Sequence, residues 1–289
     1  MTLKEKKEFK KIVSKIESLP TLPHVVNKLS KILDNPMVSA EEVNRVISAD
    51  QVLTAKILKL VNSAFYGFPG QISTVTHAIV ILGFTAVKSV AISASVFDMF
   101  PMKGTENLFD RQKFWQHSIG TAVISKLLAK VIGYQEEEVA FVAGLLHDIG
   151  KVILDRYFND VLQQIMEEIA SDGISFYESE LRIMDCNHQN IGLWLAEKWN
   201  LPAELRESIS YHHNPEKAGV GFKLASIAHI ADVFARAKCI GNGGDILVPK
   251  ISHDAWNLFN LDETAIAYLM DEIDVEIEKA EIFFSMTQK

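Results

Sequence analysis

Cysteine is close to absent from this 289-residue chain: Cys186 and Cys239 are the only two, and they form no CxxC pair. That excludes a disulfide framework and a zinc-thiolate site, and it fits a reducing cytoplasm, the expected location. Proline (8) and glycine (15) are also sparse. No alternating apolar-polar run bounded by Asn-Gly or Asp-Gly turns is found, so strands have little to build on. A basic excess is missing too. The formal net charge of -8 disfavours a life on nucleic-acid backbones, whose phosphates need Lys and Arg to neutralise them. The start, MTLKEKKEFKK, has no apolar core and does not read as a secretory signal. One run, AIVILGFTAVKSVAISASVF at 78–97, has membrane-spanning length. Gly83, Lys88 and several Ser/Thr interrupt it, so two packed helices broken near Gly83 are expected rather than a span.

What the sequence does hold is 48% hydrophobic residues in Ala/Leu/Ile/Lys/Glu-rich stretches at helical spacing, the pattern of an all-α protein. LPTLPHVVNKLSKIL opens on a Pro-x-x-Pro turn and sets Val25, Leu29 and Ile32 on one helix face. Ser39 and Glu42 form a capping box, and Asp50 caps a helix running to about Ala64. Phe65 to Gly70 reads as a turn-rich aromatic loop. After the helices of 74–99, FPMKGTENLFD is the clearest change in composition, and it divides the chain into 1–105 and 106–289. Helices are expected near 111–132, 136–149, 157–171, 174–184, 187–199, 203–213 and 222–238. The Gly-rich segment IGNGGD stands at 240–245, and the loop 240–250 that contains it follows the last candidate ligand and reads either as a lid or as a surface linker. Two closing helices follow, the last capped by Asp262 and ending about Phe284. The pair 40–49 and 51–64 has the outline of a DNA-reading helix-turn-helix, but Lys56 and Lys59 are its only cations on the second helix. Packing is the better account.

GLLHDIGK, at 144–151, puts an ionisable pair directly after two leucines. An unpaired buried carboxylate costs several kcal/mol, so His147 and Asp148 should face a compensating charge, and a metal ion is one. Neighbours on a helix project about 100° apart, so both can reach an ion held between helices. His117, His188, the pair His212-His213, His229 and Asp232 all lie in the same half of the chain. Imidazole and carboxylate are the ligand types of first-row metals. Ligand groups from His117, His147, His188, His212, His213 and Asp232, with Asp148 as a bridge, are too many for one tetrahedral ion and suit two. His24, His77 and His253 read as ordinary histidines, and His229, three residues before Asp232, as a supporting one. His212-His213 also reads as a solvated helix C-terminus, where a cationic His is favourable.

The order His, His-Asp, His, His-His, Asp resembles the HD superfamily of metal-dependent phosphohydrolases, and most closely the HD-GYP cyclic dinucleotide phosphodiesterases. LPTLPHVVNKL, ISADQVLTAKILKLVNSAFYG and ISTVTHAIVILGFTAVKSVAIS resemble the HDOD family, a helical signalling relative, over roughly residues 16 to 235. The resemblance implies an N-terminal helical subdomain packed on an HD-type helical bundle. It implies one ion on His117, His147, Asp148 and Asp232, and a second on Asp148, His188, His212 and His213. Iron or manganese comes first, with zinc, nickel or magnesium as alternatives. Lys151 matches the lysine that contacts substrate phosphate, which makes Asp148 and Lys151 the candidate catalytic residues, and His229 is the one candidate for a leaving-group acid. The glycine-tyrosine-proline motif after Asp232 is absent. Lys113 stands where trinuclear relatives carry a glutamate, so two metals are expected.

Three readings stay open: a phosphohydrolase acting on a nucleotide or cyclic dinucleotide, a non-catalytic signalling module with a structural metal centre, and a di-iron oxygenase. Under the second, the exposed SAFYGFPG loop and the N-terminal helices recruit a signalling partner. No nucleic-acid or membrane partner is expected.

Overall fold

The computed structural model describes residues 20–33, 35–100, 109–184 and 186–286, and among these every regular element is a helix. The basic start of the chain and the proposed division at 105/106 lie outside the described residues.

The first unit runs through α1 (His24–Leu33), α2 (Ala40–Ile47), α3 (Gln51–Val61) and α4 (Val75–Met99). The capping signals work as the sequence implies. Ser39 Oγ accepts from Glu42 N–H at 3.2 Å while Glu42 Oε2 accepts from Ser39 N–H at 2.9 Å, and Asp50 Oδ1 accepts from Leu53 N–H at 3.0 Å. Each bond satisfies an amide that the first helical turn leaves without a partner. α3 stops at Val61, short of Ala64, because Asn62 caps it and turns to hold the Ile72 backbone from both amide ends. α4 is two helical segments meeting at Gly83, whose φ of 85° is open to glycine and costly to other residues. It is long and apolar enough to cross a membrane, yet 61% of its apolar window is buried inside the protein.

The second unit contains α5 (Arg111–Val131), α6 (Glu137–Leu146), α7 (Ile149–Tyr157), α8 (Asn159–Asp172), α9 (Phe176–Ile183), α10 (His188–Lys198), α11 (Ala203–Tyr211) and α12 (Phe222–Ala237). α13 (His253–Asn257), α14 (Glu263–Lys279) and α15 (Glu281–Met286) close the chain. Asp262 caps α14, accepting from Ala265 N–H at 2.8 Å, and a break at Ala280 divides the expected single final helix into two. α5 is the central rod. α6 and α12 pack along it, and α11 packs against both α10 and α12.

Two expectations need correction. His147 and Asp148 do not sit inside one helix: Asp148 has φ -101° and ψ 11°, and the chain turns there from α6 into α7. α7 itself was unforeseen, because buried Ile149, Val152 and Ile153 continue the apolar pattern of α6 and hide the corner. The SAFYGFPG loop is not an exposed aromatic surface. Phe65 is buried against Phe141 and Phe283, at centroid distances of 5.5 and 5.2 Å. The Tyr66 hydroxyl donates to Glu138, and the Lys126 ammonium lies over both rings. The indole N–H of Trp199 donates to the Pro20 carbonyl, a second tie between the two units.

Candidate metal centre

Five places in the second unit deliver the candidate ligands. His117 comes from the middle of α5, His147 and Asp148 from the α6–α7 corner, and His188 from the first turn of α10. His212 and His213 follow the last residue of α11, and Asp232 lies within α12. The corner reaches α10 because residue 150 is glycine: a Cβ there would stand 2.0 Å from the His188 carbonyl oxygen. His24, His77 and His253 are all solvent-exposed.

The imidazoles are held from behind. His147 Nδ1–H donates to the Gly144 carbonyl at 2.7 Å, and His212 Nδ1–H to the Ile209 carbonyl at 2.9 Å. His188 Nδ1 lies 2.5 Å from Glu180 Oε2. The two carbonyls fix a proton on Nδ1 of His147 and His212, so a neutral ring there presents its Nε2 lone pair forward, and His188 turns its Nε2 the same way. Those lone pairs converge. His188 Nε2 stands 3.3 Å from His212 Nε2 and 3.0 Å from His213 Nε2. Asp148 Oδ1 lies 3.2 Å from His188 Nε2 and 3.5 Å from His212 Nε2. Asp148 Oδ2 faces the other side, 3.3 Å from His147 Nε2 and 4.0 Å from His117 Nε2. Asp232 Oδ1 stands beside that second group, 2.9 Å from His117 Nε2 and 3.8 Å from His147 Nε2.

Two ligand groups result, Asp148–His188–His212–His213 and His117–His147–Asp148, each with its donor atoms within 4.8 Å of one another. Both nitrogens of His117, Nε2 of His147 and Oδ1 of Asp148 are buried without a hydrogen bond. Converging lone pairs with no donor between them are unfavourable unless a cation lies among them. The charges agree. Around the centre, the buried carboxylates of Asp148, Asp232 and Asp245 outnumber the two buried cations they face, Lys151 and Arg236. The residues fit a metal.

Burial holds the imidazoles of His117, His188, His212 and His213 below their usual range, hence neutral and able to donate a lone pair. Burial also pulls His147 down, but the Asp148 carboxylate outweighs it and leaves His147 raised. Burial pushes Asp148 up, and His147 and Lys151 outweigh it, leaving Asp148 well below the ordinary carboxylate range. Asp232 is held low against its own burial by Arg236 and His117.

Lys151 is almost fully buried, with Nζ 2.7 Å from Asp148 Oδ2 and donating to the Gly243 carbonyl at 2.8 Å. His229 keeps its supporting place and loses the part of a leaving-group acid: Nδ1–H donates to the His212 carbonyl at 2.8 Å, and Nε2 accepts from Ser252 N–H at 2.9 Å. Neither nitrogen has a proton to give a substrate. Lys113 points away, its side chain 62% exposed.

Residues 241–245 lie over the centre, while Ile246, Leu247, Val248 and Lys250 are exposed. Asn242 N–H donates to the Lys113 carbonyl, and Asp245 accepts from Phe176 N–H and from Arg236 Nη1. Arg236 also donates through Nε to Asp232 Oδ1 at 2.8 Å. Sequence reasoning passed over Arg236, Asp245 and Glu180. Only the Asp232/Arg236 spacing of four carried a signal, since it places both on one helix face. Beside the second ligand group opens a cleft of about 390 Å³, lined by His213, Lys151, Arg236, Lys250, Tyr177 and Val248 among others.

Residues 19–215 match the HDOD domain family. An HDOD domain protein with unknown function from Geobacter sulfurreducens is 27% identical, with a TM-score of 0.79 over 96% of this chain and 97% of that one. A candidate phosphohydrolase from Shewanella amazonensis shares the fold at 24% identity and a TM-score of 0.74, over 96% and 98% of the two chains. An uncharacterized protein of Treponema pallidum is 27% identical over 78% of this chain, which spans only 44% of that longer relative. The chain belongs to the HDOD family.

Proposed function

We propose that this chain is a signalling protein whose two-ion His/Asp centre hydrolyses a phosphoester of a nucleotide or cyclic dinucleotide. One observation carries the reading: two ligand groups share the opposite oxygens of Asp148, and the second group borders a cleft whose lining includes Lys151, Arg236 and Lys250 beside Glu178 and Asp245. Two divalent ions, iron or manganese foremost, would lower the pKa of a bound water and polarise a phosphoryl oxygen. The chain's own residues do the rest. Lys250 and Lys151 line the cleft on which an anionic ester would settle, and a compact ammonium suits a phosphate oxygen. Tyr177, its ring 4.8 Å from that of His213, offers a flat apolar face, and Val248 and Pro249 also line the cleft. Protein loaded with manganese or iron should turn over a panel of phosphodiesters and cyclic dinucleotides, and Lys151→Ala should lower turnover at least tenfold. Two bound metals with no turnover on that panel would sink the reading.

A second reading is favoured by the position of Lys151. Its ammonium is taken up by Asp148 and by the Gly243 carbonyl under the 241–245 loop. A centre closed in this way suits a module that reports metal state to a signalling partner without turnover.

A further inference from the structure

Glu180 is none of the candidate ligands, yet it is fully buried and both its oxygens serve one residue eight positions on. Oε1 accepts from the His188 backbone N–H at 2.8 Å, and Oε2 lies 2.5 Å from His188 Nδ1. No lysine or arginine forms an ion pair with it among the described residues. Leaving a carboxylate buried without a cation is costly. The backbone bond has a plain cause: His188 opens α10, so its amide has no partner within the helix. The side-chain bond has a different consequence. His147 and His212 rest on backbone carbonyls, whereas Nδ1 of His188 faces the carboxyl of Glu180, which when ionised is a stronger acceptor and raises the donor strength of the opposite nitrogen.

We infer that Glu180 is a positioning residue that locks His188 in the tautomer with its proton on Nδ1 and its lone pair on Nε2, and so governs binding at the Asp148–His188–His212–His213 group. This rests on the reading of His188 as a metal ligand. α9 supplies more than the carboxylate. Phe176 and Tyr177, from the same helix, set their rings edge-on to the imidazole at 6.2 and 6.4 Å and limit its rotation. One short helix thereby fixes the orientation and the protonation of a single ligand. The His117–His147–Asp148 group has no such side-chain support, and the two ions should respond differently to changes on α9.

Glu180→Gln keeps the size of the side chain and destroys the pattern. An amide that accepts from the His188 backbone turns its NH2 toward Nδ1, which must then accept, and the ring proton moves to Nε2 where the metal would bind. Nitrogen-15 NMR of histidine-labelled, metal-free full-length protein reads the tautomer, and elemental analysis after loading with manganese or iron counts the metals. Wild type should show His188 protonated on Nδ1 and bind two metals per chain. Glu180→Gln should show it protonated on Nε2 and keep one metal, the second weakened by at least about tenfold. An unchanged tautomer with two tightly held metals in Glu180→Gln overturns the inference. If that variant does not fold, the wild-type spectrum suffices, since a proton on Nε2 of His188 overturns it equally. Wild-type protein that takes up no metal overturns the two-ion reading, and the tautomer still decides the lock.

Discussion

Asp148 faces a different group of imidazoles with each oxygen, and its Oδ2 also holds Lys151. Asp148→Ala should therefore release both ions, whereas His188→Ala should release mainly one, as counted by elemental analysis. Asp148→Ala also strands a buried ammonium, which costs about 3–5 kcal/mol in the metal-free protein. Denaturant unfolding in chelator checks that figure. The imidazoles give a pH dependence of definite sign. His117, His188, His212, His213 and His229 are all lowered, with burial the leading cause. The unfolded chain therefore takes up protons near pH ~6.5 that the folded chain refuses, and stability is full above that pH and lost as pH falls below it. His147 and Glu180 are raised and act in the opposite sense, losing their contribution as pH rises. The five imidazoles act together in the window just below pH ~6.5, so the urea midpoint in chelator should be lower at about pH 5 than at about pH 7.5. The candidate ligands were legible as residue types in a familiar order. Glu180 was not, because a glutamate in FYESELRI looks like any solvent-facing residue until α9 is folded onto α10.

Between elements, close approach decides geometry. A Cβ on Gly150 would overlap the His188 carbonyl at 2.0 Å, and one on Gly241, at φ +64°, would overlap the Lys113 carbonyl at 2.2 Å. Gly150→Ala should force α7 and α10 apart and cost about 1–3 kcal/mol or more, with loss of metal shared between the corner and His188. Gly241→Ala should free the 241–245 loop and leave the core intact. Hydrogen exchange would read this as faster exchange at 242–247 with an unchanged α5. Helix existence and caps were legible at Ser39, Asp50 and Asp262, because capping is a local bond between neighbours in sequence. The corner at Asp148 was not, because apolar residues on both sides keep helical spacing through it. Nor was the seat of the 241–245 loop, which depends on Arg236 reaching Asp245 and on Asn242 meeting α5.

At the scale of the whole molecule, the helical architecture was legible from composition and periodicity. The join between the units was not. FYGFPG reads as an exposed turn, and only the folded chain brings Phe65 onto Phe141 of α6 and Phe283 of α15. Phe65→Ala should remove about 3–5 kcal/mol and lower a single calorimetric transition, because the ring packs against both ends of the fold. Two separated transitions would show that the units unfold independently. Among the described residues, none from the N-terminal helices lines the cleft beside His213. A signal passing between them would travel through α4 and α6, which lie in contact.

The central claim is that Asp148 joins two ions in one His/Asp centre. Diffraction from crystals of the purified full-length protein, recorded on both sides of the absorption edge of the metal found by elemental analysis, tests it directly. The account predicts two anomalous peaks, one among His117, His147 and Asp232 and one among His188, His212 and His213, with Asp148 between them. No peak, a single peak, or two peaks that Asp148 does not join would contradict it.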